Sequence, residues 1–488
     1  MGYKIGIDRK QLTLLPVSLE EYIPADHICR VIVAFVEQVD ICGLKFKYSE
    51  SKKKGSRPYD PRMMLSLYLY GYLHRIRSSR RLRDEARRNV EVMWLLGGLM
   101  PDDKTICNFR TDNTNALRQT FREFVRLSRN LGLYGEEEEV LDGSKFRANN
   151  NLYNHYNKTI VDNELGRIQK KVEEYLKALE QGDKAEDGTK EAGEEEIRKA
   201  LLVLKERKEK YEGLKERLKE AGEISTVDTQ ARLMRMAGDG RKLDIGYNVQ
   251  TVVDSKYHMI VDFQVSTNSN DAGNLYERMK EAKEILEVEE LTGLADKGYY
   301  DSEEIAACEV NGITCLVAKR KPGGDVKTQE FSKDNFVYDA MEDKYICPTG
   351  NSMEFKREAR KNRGTEYRVY ANYRACRQCQ RKRECTKYKY REMWRLACQE
   401  IVDIVDERTR TNKEQYRKRQ EIIEHVFGTV KAVWGYKQYL CRGKTKVTAE
   451  TALAYLAYNM RRMVNIYKEA KIIPEFVKEI EYNAVLHR

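Results

Sequence analysis

No run in this chain of 488 residues approaches the ~20 consecutive apolar residues of a membrane-spanning helix, so a helical membrane protein is not expected. The first ten residues, Met1 to Lys10, lack the apolar stretch of a secretory signal, and the expected location is cytoplasmic. Without secretion, disulfides are not the expected use of the eleven cysteines; free thiols or metal ligands are. What the chain has in quantity is charge. There are 89 Lys and Arg against 78 Asp and Glu, a formal net charge of +11. Charges of both signs imply a soluble protein, and the basic surplus favours a polyanionic partner. The length allows two or three domains, each able to bury its own core.

The chain is organised around Glu139-Val-Leu-Asp142-Gly143-Ser-Lys-Phe146. A charged run from Glu136 to Glu139 gives way to two apolar residues, one carboxylate and a glycine. That pattern reads as a strand that enters a core and delivers Asp142 where the chain opens out. Two later stretches also bring an acid to a structured edge. One is Leu291 to Tyr300, a short apolar strand ending in Asp296 and Gly298; the other is a helical run from Tyr416 to Trp434 carrying Glu424. Carboxylates so far apart in sequence converge only through tertiary structure, as a two-metal phosphoryl-transfer site requires.

Residues 1–135 read as helical. Ile28, Val31, Ile32, Phe35, Val36 and Val39 recur at helical spacing after Pro24 and Asp26. Pro58 and Pro61 open a second helix through Leu73. Between residues 75 and 88 lie seven arginines, among them Arg75, Arg77, Arg80, Arg81 and Arg83, with Ser78 and Ser79 placed to cap a helix. Asp102 to Arg110 has the character of the start of a recognition helix. Clustered arginines beside short helices suit phosphate contacts and major-groove entry; an ordinary solvated basic face is the plainer alternative. From 152 to 222 two charged helices, marked by Ile168, Val172, Tyr175 and Leu179, then by Ile197, Leu201, Leu204, Tyr211 and Leu218, form a hairpin interrupted at Gly182, Gly188 and Gly193.

From Leu243 the period changes to two. Two strands, Ile245 to Val253 and Ile260 to Ser266, flank a turn around residues 254–258, with Asp262 a polar exception. Asn270 or Asp271 is placed to cap a helix through Leu286. The strand before Asp296, a helix begun by Ser302, and a strand from Ile313 to Val317 follow. This order resembles the ribonuclease-H-like fold: a mixed sheet with flanking helices, its first part at 136–151 and its second at 223–320. Residues 321–399 form a cysteine-containing insertion. Cys347, Cys376, Cys379 and Cys385, with a Cys-x-x-Cys knuckle, suit a tetrahedral zinc site; a basic module without metal is the alternative. Cys398 is a substitute ligand. The remaining cysteines are isolated. Residues 400–470 carry the Glu424 helix and C-terminal helices, and 471–488 form a tail.

At about 100° per residue Glu424 and Lys431 share a helix face, with Gly428 between them and Arg417 on the same side. Ile423, Val426, Phe427, Val430 and Trp434 form the adjoining apolar stripe.

Leu141-Asp142-Gly143, Ala295-Asp296-Lys-Gly298-Tyr299 and Tyr416-x2-Arg419-x4-Glu424-His-Val-Phe-Gly428-x2-Lys431 together resemble the DDE transposases of bacterial insertion sequences. The likeness is to the branch with a Tyr–Arg–Glu–Lys signature around the third acid, and to a cysteine-containing subgroup. Asn459-Met-Arg-Arg and the N-terminal Leu15-Pro16-x5-Tyr22-Ile-Pro24-x-Asp26-His27 resemble the same family. Four residues separate Arg419 from Glu424, one more than in the family signature. The resemblance implies that Asp142, Asp296 and Glu424 bind two divalent ions, usually Mg²⁺ with Mn²⁺ able to substitute. Tyr416, Arg417, Arg419 and Lys431 would hold DNA phosphates. It further implies a nucleoid-associated enzyme, a homodimer or larger assembly on double-stranded DNA, that cleaves its element's ends and joins their 3′-hydroxyls to target DNA. A catalytically silent DNA-binding protein on the same scaffold, and a metal-dependent nuclease that cuts without joining, are the alternatives.

Overall fold

The computed structural model describes residues 18–49, 57–182, 190–236, 243–319, 330–360 and 366–469, together with residue 478. Leu15, Pro16, Gly188 and nearly all of the tail 471–488 lie outside these residues. So does the first stretch of the cysteine-containing insertion.

Among the described residues a 3-10 turn, Leu19–Tyr22, and six α-helices precede the first strand: α1 (Ile28–Gln38), α2 (Pro61–Leu73), α3 (Ser79–Arg88), α4 (Val90–Leu95), α5 (Asp103–Asp112) and α6 (Thr114–Asn130). Their starts follow from local chemistry. Asp60 accepts from the Arg62 amide with Pro61 in the first turn, and Asp102 accepts from the Thr105 amide. Ser78 precedes α3 but makes no side-chain capping bond. The helices do not close a core of their own. Their buried side chains belong to one hydrophobic core continuous with the central sheet and the C-terminal helices, with Phe121 set edge-on against Phe263 of the sheet.

β1 (Glu138–Arg147) leads to β2 (His155–Asn157), then to α7 (Lys158–Gly182) and α8 (Lys190–Ala221), which pack against each other, and back through β3 (Glu223–Ser225). β2 and β3 pair at the hairpin's base. Ile168, Leu204, Tyr211, Leu214 and Leu218 bury against one another in a small core separate from the main one. The arm therefore stabilises itself by its own apolar seam, helped by the Lys215–Asp162 and Arg207–Glu164 pairs across it.

β4 (Arg232–Arg235), β5 (Leu243–Asp254), β6 (Ile260–Ser266), α9 (Leu275–Leu286), β7 (Leu291–Ala295), α10 (Ser302–Val310) and β8 (Ile313–Val317) complete the central sheet. β6 pairs with β5, and the sheet continues β5-β1-β7-β8, with β4 also on β5. β1 is antiparallel to β5 and parallel to β7, and β7 is parallel to β8. Asp262 is no flaw in its strand: it is fully buried and ion-paired with the equally buried Arg278 of α9 at 2.8 Å. Such a pair tolerates burial because each charge meets its partner.

β9 (Val337–Asp339), β10 (Lys344–Ile346), β11 (Ser352–Arg360), β12 (Glu366–Ala371), α11 (Tyr373–Gln378), α12 (Lys382–Cys385) and β13 (Glu392–Leu396) form a second unit. Its five-stranded sheet runs in the order β13-β12-β11-β10-β9, around a small core of Phe336, Tyr345, Met353, Tyr370 and Met393. The chain then returns to the first sheet through α13 (Gln399–Thr411) and α14 (Lys413–Phe427). α14 continues as a π-helical segment, Gly428–Val433, before α15 (Lys444–Glu469). No helix among the described residues is long and apolar enough to cross a membrane.

Candidate active site

The register of two parallel strands builds the site. Leu141 of β1 pairs with Ala295 of β7, so Asp142 and Asp296 are the next residues along adjacent strands. Parallel neighbours lie about 4.8 Å apart and paired positions share a face, so both carboxylates leave the same edge on the same side. Burial pushes the Asp142 carboxyl up to about 6; the Gly143 amide and Arg419 oppose this, while Asp271 and Asp296 add to it. The structure thus brings the two sequence-predicted aspartates together and adds a third, Asp271.

α14 lies across these strand ends. Ile422, Ile423 and Val426 are buried, so the apolar stripe faces the core as its spacing requires. Arg419, only 14% exposed, reaches Asp296 at 3.4 Å and lies over the Tyr416 ring at 5.2 Å. Arg417 is exposed. Further along, Lys431 donates to Ser144 Oγ and to the Lys145 carbonyl, both at 2.6 Å, with its ammonium 4.3 Å from the centre of the Phe146 ring. Burial pulls Lys431 down to about 8, and Asp142 opposes that shift.

Glu424 lies between these two anchors on the same helix. It is exposed, and its carboxylate accepts from the Gln420 side chain at 2.8 Å. No hydrogen bond or ion pair joins it to Asp142 or Asp296 among the described residues. The ideal α spacing that places Glu424 and Lys431 on one face is interrupted by the π-helical turn from Gly428, and Lys431 is turned onto β1.

Sequence reasoning missed Asp271 because Asn270-Asp271 before an amphipathic helix has the form of a cap. The helix instead starts at Leu275, and Asp271 accepts from the side chains of Asn248 and Gln250 at 2.7 and 2.8 Å. The available signal was two amide side chains, Asn248 and Gln250, at alternate and fully buried positions of one strand.

The donor set fits a divalent cation. Carboxylates and amide oxygens are hard ligands of the kind Mg²⁺ and Mn²⁺ take. The fully buried Asn248 Oδ1 has no hydrogen-bond donor, and a Cβ on Gly143 would sit 3.1 Å from it and collide with Asp271 Oδ1. Among the described residues no three or more His, Cys, Asp or Glu side chains, the four cysteines of the second unit included, are placed so that they could hold a metal ion as they stand.

The expected DNA-contacting arginines divide. Arg80 is 81% exposed and only 3.8 Å from Asp103, and Arg75 and Arg81 are also exposed. Arg83 is held by Asp84 and Asp103. Arg77 has a structural role: it donates to the Gln438 carbonyl at 2.8 Å, pairs with buried Glu450 and stacks over Tyr436.

In the second unit Cys347, Cys376, Cys379 and Cys385 line one small cavity with Phe336 and Met353. Burial, and to a lesser degree the other three thiols, push Cys385 up, while Arg391 opposes them. Cys398 instead occupies the N-cap position of α13, without a side-chain capping bond, and burial, followed by Glu303, pushes its thiol up.

A mixed sheet whose adjacent parallel strands deliver paired aspartates beneath a helix bearing basic and acidic side chains defines an α/β protein with an acidic, hard-oxygen site. Two stretches of the chain match family models of transposases. Residues 17–112 match a transposase domain (DUF772), and residues 346–464 match a transposase DDE domain. Each match spans less than half of the chain. Together they support a transposase, an enzyme of the transposase and nuclease type. The first covers the arginine cluster and the second covers the four cysteines, Glu424 and Lys431, whereas Asp142 and Asp296 lie in neither. No curated protein and no solved structure matches the chain.

Proposed function

We propose that this protein is a DNA transposase with a ribonuclease-H-like core, which cleaves its element's ends and joins the freed 3′-hydroxyls to target DNA. The observation that carries this reading is the pairing of Leu141 with Ala295, which sets Asp142 beside Asp296 at one edge of the sheet. The sheet order β5-β1-β7-β8, with β1, β4 and β6 each antiparallel to β5 and parallel pairing beyond β1, supports the fold assignment. The transposase-domain matches at both ends of the chain support the activity.

Asp142 and Asp296 would hold divalent metal, with Glu424 contributed from α14. Mg²⁺ or Mn²⁺ held there would supply Lewis acidity, helping to activate a water or 3′-hydroxyl and to stabilise the oxygen that leaves the phosphodiester. Arg419 holds Asp296 in place and partly neutralises the acidic edge. Lys431 ties α14 to β1 beside Asp142, fixing the helix against the strand that bears the acid. Exposed Arg417 is free to meet a DNA phosphate, and Tyr416 supports Arg419 from below. Arg75, Arg80, Arg81 and Arg83 would contact the backbone of the element's end from the N-terminal helices.

The four clustered thiols support a structural zinc site in the second unit, since Zn²⁺ takes four thiolates in a closed tetrahedral shell. That unit lies between β8 and the Glu424 helix, so its fold helps set where the helix returns.

A strand-transfer assay with the element's own ends tests the function. Wild type with Mg²⁺ should both cut and join, while Asp142→Asn, Asp296→Asn and Glu424→Gln should do neither and still bind ends. Cutting without joining by wild type would make the protein a nuclease. End binding without either step would make it the silent DNA-binding alternative.

A further inference from the structure

Asp271 lies outside the Asp142, Asp296 and Glu424 set, yet it is held by its own side-chain and backbone hydrogen bonds. It sits in the loop between β6 and α9. The loop does not need its carboxylate for anchorage, because Asn274 Nδ2 already donates to the Asp271 backbone carbonyl at 3.0 Å. The carboxylate is instead drawn over the sheet by two side-chain amides, Asn248 Nδ2 and Gln250 Nε2, both on Oδ1. Both amide residues are fully buried, and Gln250 is itself fixed by the Tyr299 hydroxyl. Cross-strand register sets Gln250 opposite Gly143 and Asn248 opposite Lys145, so the amides flank the β1 segment that bears Asp142.

The two oxygens of Asp271 have different neighbours. Oδ1 lies where a Cβ on Gly143 would go. Oδ2 and the Oδ2 of Asp296 both lie within 4.0 Å of the point where a Cβ on Gly298 would sit. Glycines at 143 and 298 therefore leave room for the Asp271 carboxylate, whose charge acts on Asp142 together with that of Asp296. The unpartnered, fully buried Asn248 Oδ1 lies beside that same space. Three carboxylates and an unused amide oxygen offer hard-oxygen donors to a small dication, alongside the two cations placed there, Arg419 on Asp296 and Lys431 beside Asp142.

We propose that Asp271 is a further carboxylate ligand of the divalent cation held by Asp142 and Asp296, with the Asn248 side-chain oxygen beside it. This inference rests on the reading that Asp142 and Asp296 bind a divalent ion. It assigns the sheet edge its own third acid, independent of Glu424 on α14.

Metal-directed cleavage of the full-length wild-type protein tests it without relying on catalysis. Fe²⁺ bound in place of Mg²⁺, with ascorbate and peroxide, generates radicals that cut the backbone near the ion's ligands. Cuts are expected near residues 142, 271 and 296, and excess Mg²⁺ should suppress all three. Cuts near 142 and 296 alone would overturn the assignment of Asp271 and leave the parent reading standing. An absence of cuts at all three would overturn both. A second measurement counts free Mn²⁺ by its electron paramagnetic resonance signal. Asp271→Asn keeps an oxygen to accept from Asn248 and Gln250, so a purely structural role would leave Mn²⁺ affinity unchanged and would refute the proposal. Loss of a charged ligand should weaken Mn²⁺ binding by at least about tenfold, the lower end of the loss seen when even a supporting partner of a metal site is removed.

Discussion

Gly143→Ala should damage the site more than its single methyl group suggests. Gly143 lies within β1, and its backbone is not in the left-handed region, so the cost is steric. The added methyl would collide with Asp271 Oδ1 and sit 2.8 Å from Gln250 Nε2 and 3.1 Å from Asn248 Oδ1. None of the three can retreat cheaply: Gln250 and Asn248 are buried, and Asp271 is held by both. Overpacking of this kind costs about 1–3 kcal/mol. The displaced atoms are the ones that frame the acidic edge, so divalent-cation affinity should fall together with stability. Gly428→Ala is the matching control. It has a helical backbone with no heavy atom within 4 Å of its added Cβ, and it should be neutral or up to about 1 kcal/mol more stable. Urea unfolding without metal gives the stability difference, and Mn²⁺ titration gives the affinity. Wild-type values of both for Gly143→Ala would refute the packing argument, whereas equal losses in the two glycine variants would show that the effect is not local to the acids.

Neutralising Arg80 and Arg81, which are exposed, should weaken DNA binding and reduce its salt slope by roughly one unit per lost phosphate contact, whereas an unchanged slope would return them to a solvated face. Arg77→Ala should act differently, lowering thermal stability through its lost contacts to Gln438, Glu450 and Tyr436 and not chiefly through the salt slope. Purified protein should carry about one zinc per chain, and Cys379→Ser should release it and expose the second unit to protease; zinc-free wild type would refute the metal assignment. Glu139, fully buried opposite Asp254, has its carboxyl raised well above the usual range by burial and by Asp254. A raised folded value means that this group's contribution is present in acid and is lost as pH rises through that value. Glu139→Gln should therefore be more stable than wild type in alkaline solution, with the difference shrinking in acid; a gap independent of pH, measured by denaturant midpoints, would contradict this.

Much of the central sheet could be read from period and punctuation. The alternation in β5 and β6, the apolar run before Asp296, and Ser302 with Glu303 and Glu304 at the start of α10 each fixed an element locally. Asp142 and Asp296 were legible because each follows an apolar strand at a glycine-marked edge. What could not be read was pairing. The register that puts Leu141 beside Ala295 is a tertiary fact, and only it brings the two acids together. Asp271 was hidden because its local sequence satisfies the rules for a helix cap, and its true partners, Asn248 and Gln250, lie more than twenty residues away. Asp262 was hidden likewise, since its partner Arg278 lies on a separate helix. The orientation of Lys431 depended on a π-helical turn that no spacing rule anticipates. The core shared between the N-terminal helices and the sheet was also invisible, because amphipathic periodicity shows that a face is buried but not what buries it.

The central claim, that Asp142 touches a catalytic metal ion, is tested most directly by changing the ligand's softness. In Asp142→Cys a thiolate replaces a carboxylate oxygen; it is a poor partner for Mg²⁺ and a better one for the softer Mn²⁺. End cleavage should be lost with Mg²⁺ and partly restored with Mn²⁺, while end binding stays unchanged. Full activity of the variant with Mg²⁺ would contradict the account, and so would loss of activity that Mn²⁺ does not relieve at all.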